Sequence, residues 1–173
     1  VQTRSASAKA WFERGMLLAA RGDSSRAEQY LMLALRQGYS EERAIVPLLQ
    51  VCVASSRLRA ALEHGESFSR RHPASWQLRY LLAAIRFALG DAPAAVKELA
   101  RLIAQRPEAV PARYLLAVVE RDAFGDEAAA RHDFEAYVER DPLGTHALEA
   151  RAWLAEHPMP STASADAPRE ATP

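Results

Sequence analysis

Five histidines, one cysteine and a few carboxylate pairs are the groups in this chain best suited to chemistry, and their spacing argues against each reaction in turn. No two of His64, His72, His132, His146 and His157 stand four residues apart, as two metal ligands on one helix face would. None lies in an HExxH frame, and they read as surface histidines on helices. The run HGESFS from His64 carries the first half of a glycine–serine–glycine nucleophile turn, but Ser69 stands where the second glycine is needed. The run also falls inside a helical pattern, whereas a nucleophilic serine of this kind needs a sharp strand-to-helix turn. The seven glycines are scattered, so no phosphate-cradling loop exists. Glu41/Glu42 and Glu63/Glu66 read as solvated faces and helix-start charges. Cys52 is alone, which excludes an internal disulfide and a cysteine-rich zinc site. By phase it lies on the packed side of a helix, where an inert thiol is expected. The residues therefore point to no catalytic, cofactor or metal site, and the expectation is a protein that is not an enzyme.

The elements that position these residues follow from composition and pattern. Apolar residues make up 49% of the chain, enough for a real core, and a scarcity of glycine beside abundant Ala and Leu favours helix. Basic and acidic residues balance at 22 each, and no Lys/Arg block marks a nucleic-acid arm. Twenty of those basic residues are Arg, which reads as the codon bias of a GC-rich bacterial genome. No apolar run approaches the length of a membrane span, and no signal peptide is visible. The chain begins at Val1, not Met, so removal of something N-terminal is expected. A cleaved export signal would place the protein in the cell envelope, which is favoured over the cytoplasm on that ground.

The sequence repeats. RYLLAAI begins at Arg79 and RYLLAVV at Arg113, 34 residues later. The turn-like points Gly22, Ser56, Gly90 and Gly125 are spaced by 34, 34 and 35. Five residues after each stands an alanine: Ala27, Ala61, Ala95 and Ala130. Nine after each stands Leu31, Gly65, Leu99 or Phe134, and seventeen after each Tyr39, Pro73, Pro107 or Pro142. Each unit holds two helical patterns, joined by a glycine able to end one helix and an aspartate able to cap the next, as in RGDS, LGDA and FGDE. The recurrent alanine lets two helices approach closely where they cross.

This pattern resembles the tetratricopeptide repeat (TPR), a helix–turn–helix unit of 34 residues. Trp11, Gly15, Ala27, Leu31 and Ala34 carry the resemblance in the first repeat. Leu82, Ala83, Ala95, Leu99 and Pro107 carry it in the third, and Leu116, Ala117, Ala130, Phe134 and Pro142 in the fourth. The second repeat matches least, with Leu48, Ala61 and Pro73 in place but Gly65 where a large residue is usual. The resemblance implies an all-α, right-handed α-solenoid of about four repeats, near 8–41, 42–75, 76–109 and 110–144, within a domain at 1–157. A capping helix is expected at 143–156, with Leu148, Trp153 and Leu154 covering the last exposed apolar face of the array. Residues 158–173, rich in Pro and small residues, are expected to be a disordered tail. Pro47 lies inside a helical pattern at 41–54, which it would start late, near Ala44, or kink, and with Gly65 it is expected to make the second repeat the least stable.

In the family, the first helix of each repeat lines a concave face. The resemblance places Lys9, Phe12 and Met16 there from the first repeat, and Arg43, Val46 and Gln50 from the second. It places Gln77, Tyr80 and Phe87 there from the third, and Tyr114, Val118 and Arg121 from the fourth. An apolar row of this length on a solvent-facing wall marks a binding surface. The expected function is a scaffold that holds a protein or peptide segment by apolar anchors, in bacterial envelope, secretion or motility-complex assembly. The alternatives are a piece of a longer or self-associating array, or a regulatory domain of an enzyme supplied elsewhere. A carboxylate clamp of the chaperone-binding type is argued against, because the chain has no Asn and Phe12, Met16 and Ala19 occupy key groove places. Neither nucleic acid nor a membrane span is expected among its partners.

Overall fold

The computed structural model describes residues 2–158, with side chains from Ser7 onward. The expected disordered tail at 158–173 lies, but for Pro158, outside the described residues. The helices are α1 (Gln2–Ala20), α2 (Ser24–Arg36), α3 (Glu41–Ala54), α4 (Leu58–Arg71), α5 (Trp76–Ala88), α6 (Ala92–Gln105), α7 (Val110–Val119), α8 (Glu127–Arg140) and α9 (Ala147–Glu156). No strand occurs among the described residues. Each helix packs on the next in sequence, and the first helices also meet one another, α1 with α3, α3 with α5 and α5 with α7. That pattern is an α-solenoid: one wall built from the first helices, the other from the second.

The repeated marks explain the packing. Ala27, Ala61, Ala95 and Ala130 are all fully buried, at the places where the two helices of a unit cross. Leu31, Leu99 and Phe134 are fully buried beside them. The turns close by backbone geometry. After α1, Asp23 N–H donates to the Leu18 carbonyl and Gly22 N–H to that of Ala19, a pair that satisfies the helix's last acceptors. The same two bonds recur from Arg57 and Ser56 after α3, and from Asp91 and Gly90 after α5. The geometry needs a left-handed residue at the second turn position, with φ +79° at Gly22 and +88° at Gly90. Asp23, Asp91 and Asp126 then cap the following helices, accepting from the N–H groups of Arg26, Ala94 and Ala129.

The second repeat departs at three of these marks. Ser56 adopts φ +58°, the only non-glycine with positive φ among the described residues. A side chain in that conformation costs about 1–2 kcal/mol. Ser56→Gly should therefore stabilise the protein by about 0.5–1 kcal/mol, after allowance for the freer unfolded chain. Urea unfolding is the check, and an unchanged or lower midpoint would count against the strain. Arg57 stands where the other turns have a capping Asp, and its guanidinium instead reaches back to the buried Glu28 on α2, tying the first two repeats together. Gly65 is buried, and a Cβ there would collide with Leu82 Cδ2 and stand 3.0 Å from Leu49 Cδ1. The absent side chain is thus filled from α3 and α5.

One helix start is as its pattern suggests and another is corrected. Helix α3 spans 41–54 without the late start near Ala44, and Pro47 sits inside it. Proline removes only its own N–H from the ladder, and the acceptor left over belongs to Arg43, an exposed residue whose carbonyl water can serve. Helix α9 begins at Ala147, not residue 143, because the chain first turns through Pro142 to His146. The Tyr137 hydroxyl pins that turn by accepting from His146 N–H at 3.1 Å. Trp153 and Leu154 pack on the terminal core as expected, but Leu148 is 81% exposed and joins no core cluster among the described residues.

The single extra residue between the third and fourth turn marks is taken up as a π-helical turn, Glu120–Phe124, that ends at Gly125. The closing bonds widen by one residue, from Asp126 N–H to Glu120 and from Gly125 N–H to Arg121. An insertion absorbed this way leaves α7 and α8 in phase.

Candidate concave binding face

The two RYLLA runs show how each repeat assigns its positions. Leu82 and Leu116 enter the core, as do Ala83 and Ala117. The arginines cross to the second helix of the same repeat. Arg79 Nε donates to Glu98 Oε1 at 2.5 Å, and Arg113 Nη1 to Asp133 Oδ1 at 3.0 Å. The equivalent places in the first repeat hold Trp11 and Tyr30, whose rings stack 5.5 Å apart. One inter-helix contact is thus kept in place while its chemistry changes from aromatic to ionic. The signal for it was in the sequence, an Arg followed about nineteen residues later by an acid in both copies.

The tyrosines of the two runs point to the wall formed by α1, α3, α5 and α7, and there their surroundings differ. Tyr80 is half-buried and packs with Trp76 and Phe87 on the middle core. Burial raises its phenol above the usual range, with a smaller push from Tyr137. Tyr114 is only 8% exposed. Its ring stacks on His146 at 4.1 Å and meets Phe134 and Tyr137 at a tilt. Burial, then the Glu149 carboxylate facing its hydroxyl, drive its phenol far above the usual range. The expectation that Tyr114 is an exposed anchor is therefore corrected: the turn into α9 lies over it, and it belongs to the terminal core.

The remaining residues assigned to the wall fall into two groups. Toward the first repeats the surface is open and apolar. Met16 is 39% exposed and Val53 36%. Phe12 is half-buried and stacked on Tyr39 at 4.3 Å, and Val46 is half-buried. Met16, Ala19, Pro47, Gln50, Val51 and Ala54, with Ser24 at the edge, line a recess of about 190 Å³ between α1 and α3. Arg43, Gln50 and Gln77 are exposed. Toward the last repeat, Phe87 and Val118 are half-buried against the cores beneath them. Charge is largely met on the surface. Lys9 pairs with Glu13 at 3.6 Å, and Arg121 with Asp122 at 2.5 Å.

The residues first weighed for chemistry sit elsewhere. Cys52 is fully buried, and burial pushes its thiol up to about 11, so the nucleophilic thiolate is scarce near neutrality. His72 joins Arg71 in holding Glu41, across from the end of α4 to the start of α3. The two interactions keep the Glu41 carboxyl below its usual range. His157 stacks on Trp153 and His146 on Tyr114, so both serve the packing of α9.

The chain has the tetratricopeptide-repeat fold. It is similar to YrrB, described as a TPR protein with an unusual peptide-binding site, with a TM-score of 0.70 and 19% identity over 86% of this chain and 76% of that one. It is similar to a thermophilic TPR protein of Thermus thermophilus, with a TM-score of 0.70 and 19% identity over 86% and 80%. It is similar to MamA from Desulfovibrio magneticus, with a TM-score of 0.69 and 18% identity over 80% and 77%. No family model matches the sequence, and no curated protein is significantly similar to it.

Proposed function

We propose that this protein is a non-enzymatic interaction scaffold that holds a protein segment on the concave wall by apolar anchors. The observation that carries the reading is the open apolar surface around the recess between α1 and α3, where Met16 and Val53 remain exposed although the core beneath is complete. An apolar side chain inserted there would lose water contact without displacing any residue of the fold. Lys9, Phe12, Met16, Arg43, Val46 and Gln50 supply the N-terminal half of the face, and Gln77, Tyr80, Phe87, Val118 and Arg121 continue it. Peptide binding by a protein of the same fold, YrrB, is consistent with this use of the wall. The setting we propose, assembly of a bacterial envelope, secretion or motility complex, rests on the layout of a few repeats without a catalytic domain.

Selection from a random peptide library displayed on phage tests the reading. Enriched peptides should share apolar anchors, and Met16→Glu with Val46→Glu should weaken them at least about tenfold, as loss of buried anchors at a binding site commonly does. Peptides that bind this double variant as well as the parent would move the site off the wall. A second reading, association of one array with another, is favoured by Leu143 and Leu148, which are 94% and 81% exposed around α9. Light scattering that finds a monomer at all concentrations would remove it.

A further inference from the structure

We infer that Glu120 is a proton-operated latch on the turn between α7 and α8. With its carboxyl protonated the π turn stays closed, and with it ionised the turn and the start of α8 open. The inference stands apart from whatever the concave wall binds.

Four observations converge on the turn. Glu120 opens the π-helical segment that absorbs the extra residue of this repeat, and its carbonyl accepts the closing bond from Asp126 N–H. Its side-chain Oε2 is buried with no hydrogen-bond partner, and so is Nε of Arg113 on the same face of α7 two turns earlier. One oxygen of an ionised carboxylate in that position is deprived of water without a bond in return, although the residue as a whole is half-buried. The nearby charges make matters worse. Asp133 on α8 and Asp126 at its cap both act on Glu120 with the same sign.

Apart from Arg113 Nε, the cations of these elements are engaged elsewhere. Arg113, the cation on α7, gives its Nη1 to Asp133. Arg121, the next residue of the turn, donates through Nε and Nη2 to Asp122. On α8, Arg131 is bonded to Glu135 and to the Leu154 carbonyl, and His132 acts on Asp133. The π turn packs mainly against α7 and α8, and Tyr114 of α7 and the Glu149 carboxylate of α9 also act on Arg121 in the turn. Burial, then the two aspartates, push the Glu120 carboxyl up to about 7.

The sign of the effect is set by which state holds the proton. The folded state binds a proton at Glu120 that the unfolded or opened state, with an ordinary value of 4.5, gives up. The closed turn is therefore favoured most below that ordinary value. It loses stability as pH rises to about 7 and changes little beyond. Burial also raises Asp133, with Arg113 opposing, so Asp133 contributes in the same direction. Arg121 and Asp122 lie in the turn itself and Val118 just before it, so opening alters the C-terminal end of the concave wall.

Hydrogen exchange of the full chain, read by mass spectrometry and corrected for intrinsic rates, tests the latch. Amides of residues 120–130 should open about tenfold more often at about pH 8 than at about pH 5.5, with α2 and α3 as an internal reference that does not change. In Glu120→Gln that pH dependence should fall below about threefold. A parent protein with equal opening at both pH values would overturn the latch. A Glu120→Gln variant that keeps the full dependence would assign it to Asp133 and overturn it equally. Where the variant does not fold, the carboxyl carbon of Glu120 in the parent decides by NMR: a midpoint near 7 supports the latch and one below about 5 sinks it.

Discussion

Gly65→Leu is expected to destabilise the protein by about 2–3 kcal/mol. The repeat pattern alone argues the reverse. Leu31, Leu99 and Phe134 occupy this mark in the other units, and glycine inside a helix costs about 1 kcal/mol relative to Ala. Restoring a large residue would by that reasoning repair a weak repeat. The packing says otherwise, because the space is already taken by Leu82 Cδ2 and Leu49 Cδ1. Both leucines are buried, Leu49 fully, so neither has solvent to move into. Gly65→Ala should cost less than Gly65→Leu, since its gain in helix propensity offsets part of the strain. The decisive comparison is made in a Leu82→Ala background, where the cavity left on α5 can accept the new side chain. There Gly65→Leu should recover more than about 1 kcal/mol relative to its effect in the parent, a coupling typical of contacting residues. Denaturant unfolding of the four proteins gives the cycle. A single variant as stable as the parent would show that the repeat pattern, not the filled space, governs this site.

The same contrast explains what could be read from the sequence. Features set within one repeat were legible: the alanine marks, the glycine turns and the capping aspartates. They depend on bonds between neighbours in the chain, such as Asp91 accepting from Ala94 N–H. Features set between repeats were not. Gly65 looked like decay because Leu82 and Leu49 come to it from other helices. The extra residue before Gly125 was visible as a spacing of 35, but nothing local showed that it would be absorbed as a π turn with a buried carboxyl at its head. The exposure of each residue assigned to the first-helix wall depended on the elements stacked over it, as at Tyr114 beneath the turn into α9. Leu148 was expected to help cap the array and is exposed instead, while α9 starts at Ala147, four residues later than its pattern suggested.

Tyr114→Ala is expected to cost about 3–4 kcal/mol, the range for removing a buried aromatic ring. Tyr80→Ala, at the same place in the preceding repeat, should cost only about half as much, because its ring is half-buried at the wall. The difference arises from α9. Tyr137 receives His146 N–H, the turn from Pro142 to His146 is held down, and the His146 imidazole lies flat on the Tyr114 ring. Phe134 and Trp153 complete the cluster, with rings 5.0 Å apart. Loss of the Tyr114 ring removes the floor on which that turn rests, so α9 should detach together with the stability. Tyr114→Phe keeps the ring and loses only the hydroxyl facing Glu149, for about 1 kcal/mol. Trp153 reports the event, since it belongs to the same core and its emission should shift as α9 leaves. If Tyr114→Ala proves no more damaging than Tyr80→Ala, the ring is dispensable to the terminal core. Tyr114 would then return to the concave wall as a candidate anchor, and the recess between α1 and α3 would be one end of a longer site.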